Sequence, residues 1–447
     1  MPQPLPHLSM TYRSEVLQPL FHNLHTRESC AVAGCASMGK TRLVEFIMRP
    51  DVQQHYLGSD AASTLMLRAD CNRLREHSEW GIYELLLTAI VEGCSAIAVT
   101  QPLRGELNSL RMPVLKKTNK PVLALRQLEL AMRMICQEHN IQVRFLLDEF
   151  DGIYRSLPAL SLDNLRALRD ANKHHLSYVL FLRQPLARLR EPAGNESFYE
   201  LFSRALLGLT PYTPEDVGDM FAQVQARRQV ELPAAQREII HTLSGGHPGT
   251  IMALFDLALK QPELVQAGSI LALAQDALIV EECRKLWHSL DSDERLSMLE
   301  IAQGSRPAAE TSELLLLKGL AVNQDGKLKL FNPLIEAYAR QADIEDKLTI
   351  HALARTVMLG GRKIPQQAPL VFDLLLYLYE HAGEVCDREQ IIQALYHNNH
   401  ADINDNALDN LVKRARQAIE PEPQKPRYLI TCRGVGYTLH RAPLIES

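Results

Sequence analysis

The segment Gly34-Cys35-Ala36-Ser37-Met38-Gly39-Lys40-Thr41 constrains this chain more than any other. It fits the pattern G-x4-G-K-[ST]. It follows the apolar run SCAVAG (29–34) and precedes the helical pattern VEFIMR, the strand-loop-helix context the pattern requires. The glycines let the backbone curl so that its N–H groups face one point, and the helix amino end adds a positive dipole there. Gly34, Ser37, Met38, Gly39, Lys40 and Thr41 are therefore expected to cradle ATP or ADP. Lys40 would reach the β/γ-phosphates, and the Thr41 hydroxyl would hold Mg²⁺.

A second segment, VRFLLDEFDG, ends an apolar strand in two acids about 110 residues later. Mg²⁺ beside such a loop needs a carboxylate, which Asp148 supplies. Glu149 is then placed to orient or deprotonate an attacking water. Asp151 either assists or caps the next turn. Around these motifs STLMLRAD (63–70), SYVLFLR (177–183) and RALLGLT (204–210) read as further strands. YELLLTAIVEGC, LRQLELAMRMICQEH and LDNLRALRDANKH read as the helices between. That alternation predicts an α/β domain with a largely parallel sheet. The stretch near 101–121 is polar and proline-punctuated and is read as a loop or small insertion.

From Thr213 the pattern becomes helical, opened by an N-cap threonine, a proline and an acid. GLAVNQDGKLKLF predicts a hairpin around Asp325–Gly326. Residues 341–351 read as a linker, and the last ~95 residues as another unit of strands, helices and a hairpin.

The chain has 447 residues, long enough for three or four domains. Lys plus Arg is 48 and Asp plus Glu is 53, a formal charge of −5, so any contact with nucleic acid must come from a local basic face. No apolar run approaches the ~18 residues of a membrane span. The amino terminus lacks a secretory h-region. Eight cysteines form no CxxC pair. These features predict a cytoplasmic protein with no membrane contact and reduced thiols.

With these motifs in place, residues up to about 345 resemble STAND-type P-loop ATPases of the AAA+ superfamily, near the archaeal-ATPase branch. The resemblance implies that Arg183, ending SYVLFLR, senses the γ-phosphate. It implies that Arg204, just before the fifth strand, is an inter-subunit finger. Read from the residues alone, Ser244-Gly245-Gly246-His247-Pro248-Gly249 says only that a tight turn precedes a helix. In the family this is the lid's GxP motif, and its proline, here Pro248, packs on the adenine. Where some relatives place an ADP-holding histidine, this chain departs from the family pattern with Asn332 in FNPL.

Residues ~352–442 carry a separate resemblance, to the OmpR/PhoB-type winged-helix domain of response regulators. KPRYLITCRGVGYTL is its most specific piece. In the helix 405–419, Leu408, Leu411, Val412, Ala415 and Ile419 fall at core spacing. Asn406, Asn410, Lys413, Arg414 and Arg416 lie largely outside that stripe, the residue types a major-groove face needs. Arg427, Tyr428, Thr431 and Arg433 fall on the hairpin expected to form the wing. Asp409 is read as a support for its neighbours.

The fold class expected is therefore multidomain α/β plus α+β. It comprises a P-loop parallel-sheet NTPase core (1–210), a helical lid (211–278) and a winged helix (279–345). A second, DNA-binding winged helix (346–447) follows. The function expected is a nucleotide-switched, DNA-binding transcriptional regulator. It would be a slow ATPase that oligomerises with itself in the ATP state and answers an unknown protein or small-molecule signal. The alternatives are an AAA+ ATPase acting directly on double-stranded DNA, of replication-initiator or transposition-helper type, and a nucleotide-stabilised scaffold without turnover.

Overall fold

Parallel strands buried on both faces need nearly continuous apolar sequence, and five such runs supply them. In the computed structural model β1 (Cys30–Ala33), β2 (Thr64–Asp70), β3 (Gln142–Asp148), β4 (Leu176–Leu182) and β5 (Leu206–Gly208) form one sheet in the order β2-β3-β4-β1-β5. All four pairings are parallel. Every residue of β1 and β4 is buried. The chain moves from β1 to the far edge at β2 and returns through β3 and β4 before adding β5. Strand order thus reverses beside β1, and such a reversal opens a crevice at the carboxyl ends of the strands. The structure describes residues 8–74, 76–94, 101–190, 197–346, 348–352, 355–359, 362–365, 367–399, 405–420, 423–432 and 434–440.

The segment read as a loop near 101–121 is instead a helix, Gln101–Lys116, followed by a second helix from Pro121. Leu103, Leu107 and Val114 recur at helical spacing, and all three are buried in the sheet's core. Their burial outweighs the two prolines. Pro102 falls in the first turn, where its missing N–H costs little, and Pro113 falls in the last.

After the sheet, Thr213 caps the helix Pro214–Arg228 through a reciprocal capping box with Asp216. Helices Ala234–Ser244, Pro248–Lys260 and Ala277–His288 follow. The predicted hairpin forms as β6 (Ala321–Gln324) and β7 (Lys327–Leu330). Asp325 and Gly326 both have positive φ, as a two-residue turn of this hand requires. The linker expected over 341–351 is structured: helix Pro333–Asp346 runs into it, and β8 (Leu348–His351) ends it.

The chain divides into two compact units. One holds residues 1–290 and 309–334; the other holds 291–308 and 335–447. In the second, β8 pairs with β9 (Thr356–Leu359), and β9 with β10 (Arg362–Lys363). Helices Pro369–Glu380, Arg388–Asn399 and Asp405–Ile419 pack around a core that includes Phe372, Leu395 and Leu411. β11 (Cys386–Asp387), β12 (Leu429–Cys432) and β13 (Gly436–Leu439) close it as an antiparallel sheet. Among the described residues no helix is long and apolar enough to cross a membrane.

Candidate functional site

The loop after β1 is held open by one glycine in particular. Gly39 has φ 89, a conformation that L side chains rarely adopt, and it turns the chain into the helix Lys40–Ile47. Lys40 is buried, and its Nζ donates to the carbonyls of Gly34 (2.8 Å) and Cys35 (3.4 Å). It also lies 3.7 Å from Glu149 Oε1. Thr41 is exposed at the start of the helix.

Glu149 follows β3 with φ 54, a strained conformation for a side chain of its size and one typical of functional sites. Its other oxygen pairs with Arg183 at the end of β4, Nη2 at 3.0 Å and Nε at 3.1 Å. Lys40, Glu149 and Arg183 thus meet at the carboxyl ends of β1, β3 and β4. Asp151 does not cap its own helix. Its carboxylate accepts the backbone N–H of Arg183 and Gln184, fastening the tip of β4 to β3. Burial pushes its pKa up, opposed by those N–H groups.

Asp148 is almost fully buried. Its Oδ2 accepts from Arg68 Nη2 at 2.8 Å, while its Oδ1 is buried with no hydrogen-bond partner. Burial raises the Asp148 pKa, and the Arg68 guanidinium opposes the shift. An orphaned carboxylate oxygen fits a hard divalent cation, with the Thr41 hydroxyl as a second oxygen donor.

The expected lid residues lie against the loop. A Cβ on Gly249 would stand 2.6 Å from Ser37 Cβ, so only glycine allows this approach. Pro248 lies beside Gly39. His247, not anticipated, is fully buried; its Nε2 lies 3.1 Å from the Ala36 carbonyl and its Nδ1 accepts Thr250 N–H at 3.1 Å. Ser289 Oγ accepts the Ala36 N–H at 2.9 Å. Arg13 was also missed. It is fully buried, donates to Met38 O at 2.7 Å and lies over the Tyr212 ring. An arginine immediately ahead of a Leu-rich helix carries no distinctive sequence signal on its own. Asn332 is buried; its Nδ2 donates to Ser244 O and its Oδ1 accepts Leu334 N–H, both at 2.8 Å.

Arg204 stands apart from this cluster. Ala31 pairs with Leu206, so Arg204 lies at the amino ends of the strands, opposite the loop. There it is exposed and lines a polar cavity of about 570 Å³ with Glu28, Arg166, Arg169 and Glu200.

In the second unit Asn406, Asn410, Lys413 and Arg414 share the exposed face of helix Asp405–Ile419. Arg416 is turned to β12 instead: Nε donates to Leu429 O (2.9 Å) and Nη2 to Thr431 Oγ1 (2.7 Å). Tyr428 departs from expectation. It is 3% exposed and belongs to the core, immediately before β12, where its backbone N–H is held by the buried Glu420 carboxylate. Arg427 is half-buried and Thr431 exposed; Arg433 lies outside the described residues. Asp409 accepts from Arg388 Nη2 (2.9 Å) and the Tyr437 hydroxyl (2.7 Å), and both contacts hold its pKa down.

Residues 366–439 match the family described as "Transcriptional regulatory protein, C terminal". This carboxy-terminal module is a transcriptional-regulator winged helix of the OmpR/PhoB type. This chain is 30% identical over 110 residues to the regulatory protein VanRc of Enterococcus gallinarum, a quarter of this chain and 45% of that protein. The chain thus spans about half the length of this curated relative. Its module is also similar to the DNA-binding domain of Klebsiella pneumoniae RstA solved with the RstA box. That match has 30% identity and a TM-score of 0.19, over 21% of this chain and 92% of that one. A larger part of the chain is similar to a Walker-type ATPase of Pyrococcus abyssi, at 15% identity and a TM-score of 0.46, over 73% of this chain and 95% of that one. The chain joins a P-loop-type parallel-sheet domain to this module.

Proposed function

We propose that the first unit binds and hydrolyses ATP, and that nucleotide state governs how the carboxy-terminal module engages double-stranded DNA. One observation carries the reading. Lys40, Glu149 and Arg183 converge where strand order reverses, in a chain that ends in a regulator-type winged helix. The loop N–H groups from Ser37 to Thr41 receive the phosphates, and Lys40 exchanges the Gly34 carbonyl for a phosphate oxygen. Thr41 and Asp148 hold Mg²⁺, which when bound supplies charge neutralisation on the phosphate oxygens. Glu149 takes the proton of the attacking water, and Arg183 reports the γ-phosphate by changing partners. Pro248 lies against the base, and Arg204 completes the site of a neighbouring copy.

Asn406, Asn410, Lys413 and Arg414 read the major groove, while Arg427, Thr431 and Arg433 contact the flanking backbone. Assembly in the ATP state brings several modules to one DNA and multiplies a modest single-module affinity. Nucleotide shifts that balance because the two states bind ATP and ADP with different affinity. Light scattering with ADP, and then with a non-hydrolysable ATP analogue and Mg²⁺, tests the reading, each repeated with duplex DNA. A larger mass with the ATP analogue is expected. An identical monomer in all four conditions overturns the switch.

A further inference from the structure

We propose that Arg68 is a positioning residue for the metal-binding step, a built-in counter-cation that pairs with Asp148 and weakens its hold on Mg²⁺. The inference rests on the nucleotide reading of the P-loop unit. Arg68 lies on β2, beside β3, and pairs in register with Leu146; Asp70 faces Asp148. Its side chain therefore reaches forward along the sheet to the strand tips, where Nη2 meets Asp148 Oδ2 at 2.8 Å.

The contact is one-sided. Asp148 keeps Oδ1 buried without a partner, and Arg68 keeps Nε likewise. A pair evolved only to brace two strands would close both bonds, since bidentate pairing is the strong geometry. Here one carboxylate oxygen is reserved. The tip also concentrates negative charge, with Asp70 and Glu149 both acting on Asp148. Arg68 offsets that charge. Its side chain is 30% exposed against 2% for Asp148, so it can swing to solvent while the carboxylate stays.

This arrangement has two opposite consequences. A cation a few ångströms from the metal position repels Mg²⁺. The same cation attracts the negative triphosphate when no metal is present. Arg68 thus shifts binding from metal-dependent toward metal-independent.

The experiment uses the full chain and a fluorescent non-hydrolysable ATP analogue, with binding followed by anisotropy in EDTA and across a Mg²⁺ titration. In Arg68→Ala the half-saturating Mg²⁺ concentration is expected to fall about tenfold, while affinity in EDTA falls severalfold. Arg68→Lys keeps the charge and should behave like the parent. Arg68→Gln should follow the alanine variant and serves if the latter does not fold. A brace without this role would move both affinities together, so an unchanged or higher half-saturating Mg²⁺ in the neutral variants overturns the proposal. Lys40→Ala separates the two failures: if it retains analogue binding, the nucleotide reading fails and the proposal falls with it.

Discussion

His247 Nε2 and the carbonyl oxygen of Ala36 lie 3.1 Å apart, bonding the N-cap of helix Pro248–Lys260 to the backbone of the loop after β1. Because Nδ1 accepts the Thr250 N–H, the ring carries its proton on Nε2 and donates it to Ala36. Ser289 takes the Ala36 N–H, so the backbone of this one residue is held from two different helical segments.

Burial of the His247 ring gives the fold a pH dependence, which the bond to Ala36 partly opposes. Burial depresses the His247 pKa to about 4, against 6.5 for an ordinary imidazole. The unfolded chain therefore binds an extra proton between those values, and the folded chain does not. The stabilisation is complete above about pH 6.5 and is lost as pH falls toward 4, on the order of 3 kcal/mol in all. Urea unfolding at pH 7.5, 5.5 and 4.5 should show this decline. His247→Gln should flatten it, and an unchanged slope in that variant would assign the dependence to other groups.

Glu149 should separate chemistry from binding. Its carboxylate lies between Lys40 and Arg183 without touching the loop amides that would hold the phosphates. Glu149→Gln keeps the shape and removes the base. Turnover measured by phosphate release is expected to fall about 10²- to 10⁴-fold, with ATP-analogue affinity held within a few-fold. Turnover within threefold of the parent would exclude Glu149 as the base.

Glu420 predicts a stability effect where sequence gave no warning. Its buried carboxylate accepts three backbone N–H groups, from Arg427 (2.7 Å), Tyr428 (2.8 Å) and Leu429 (2.7 Å). It ties the end of helix Asp405–Ile419 to the start of β12. Charge-assisted bonds of this kind contribute about 1.5–3 kcal/mol each, and removing the acceptor strands three donors. Glu420→Ala should lower the melting midpoint of the second unit well beyond any surface substitution. A loss under about 0.5 kcal/mol would mean that water replaces the carboxylate.

These residues also mark where sequence reading stops. The P-loop, its strands and the two acids after β3 were legible because each depends on local chain order: a fixed spacing, an apolar run, a turn. The helix Gln101–Lys116 was hidden because its prolines are a stronger local signal than the widely spaced Leu103, Leu107 and Val114. Arg13, Arg68, His247 and Glu420 act across gaps of 7 to 211 residues, and each has the composition of an ordinary polar position until the fold supplies its partner. Tyr428 was misassigned for the converse reason. A tyrosine in a wing looks like a contact residue, but this one sits just before β12 and packs into the core beside the buried Glu420.

The helix Asp405–Ile419 gives the sharpest comparison, because two arginines two residues apart have different surroundings. Arg414 is exposed on the face shared with Asn410 and Lys413. Arg416 is bonded to Leu429 O and Thr431 Oγ1, and burial lowers its pKa. Arg414→Ala should therefore weaken binding to a duplex selected from random sequence by about 1–3 kcal/mol and leave the melting midpoint unchanged. Arg416→Ala should do the reverse first. It removes two bonds between the helix and β12, costing about 1–3 kcal/mol of stability, and DNA affinity should suffer only as far as the wing is displaced. Anisotropy titrations beside thermal melts of both variants distinguish the roles. If Arg416→Ala melts like the parent yet loses DNA, its guanidinium leaves β12 to meet a phosphate, and the assignment of Arg416 to support is wrong.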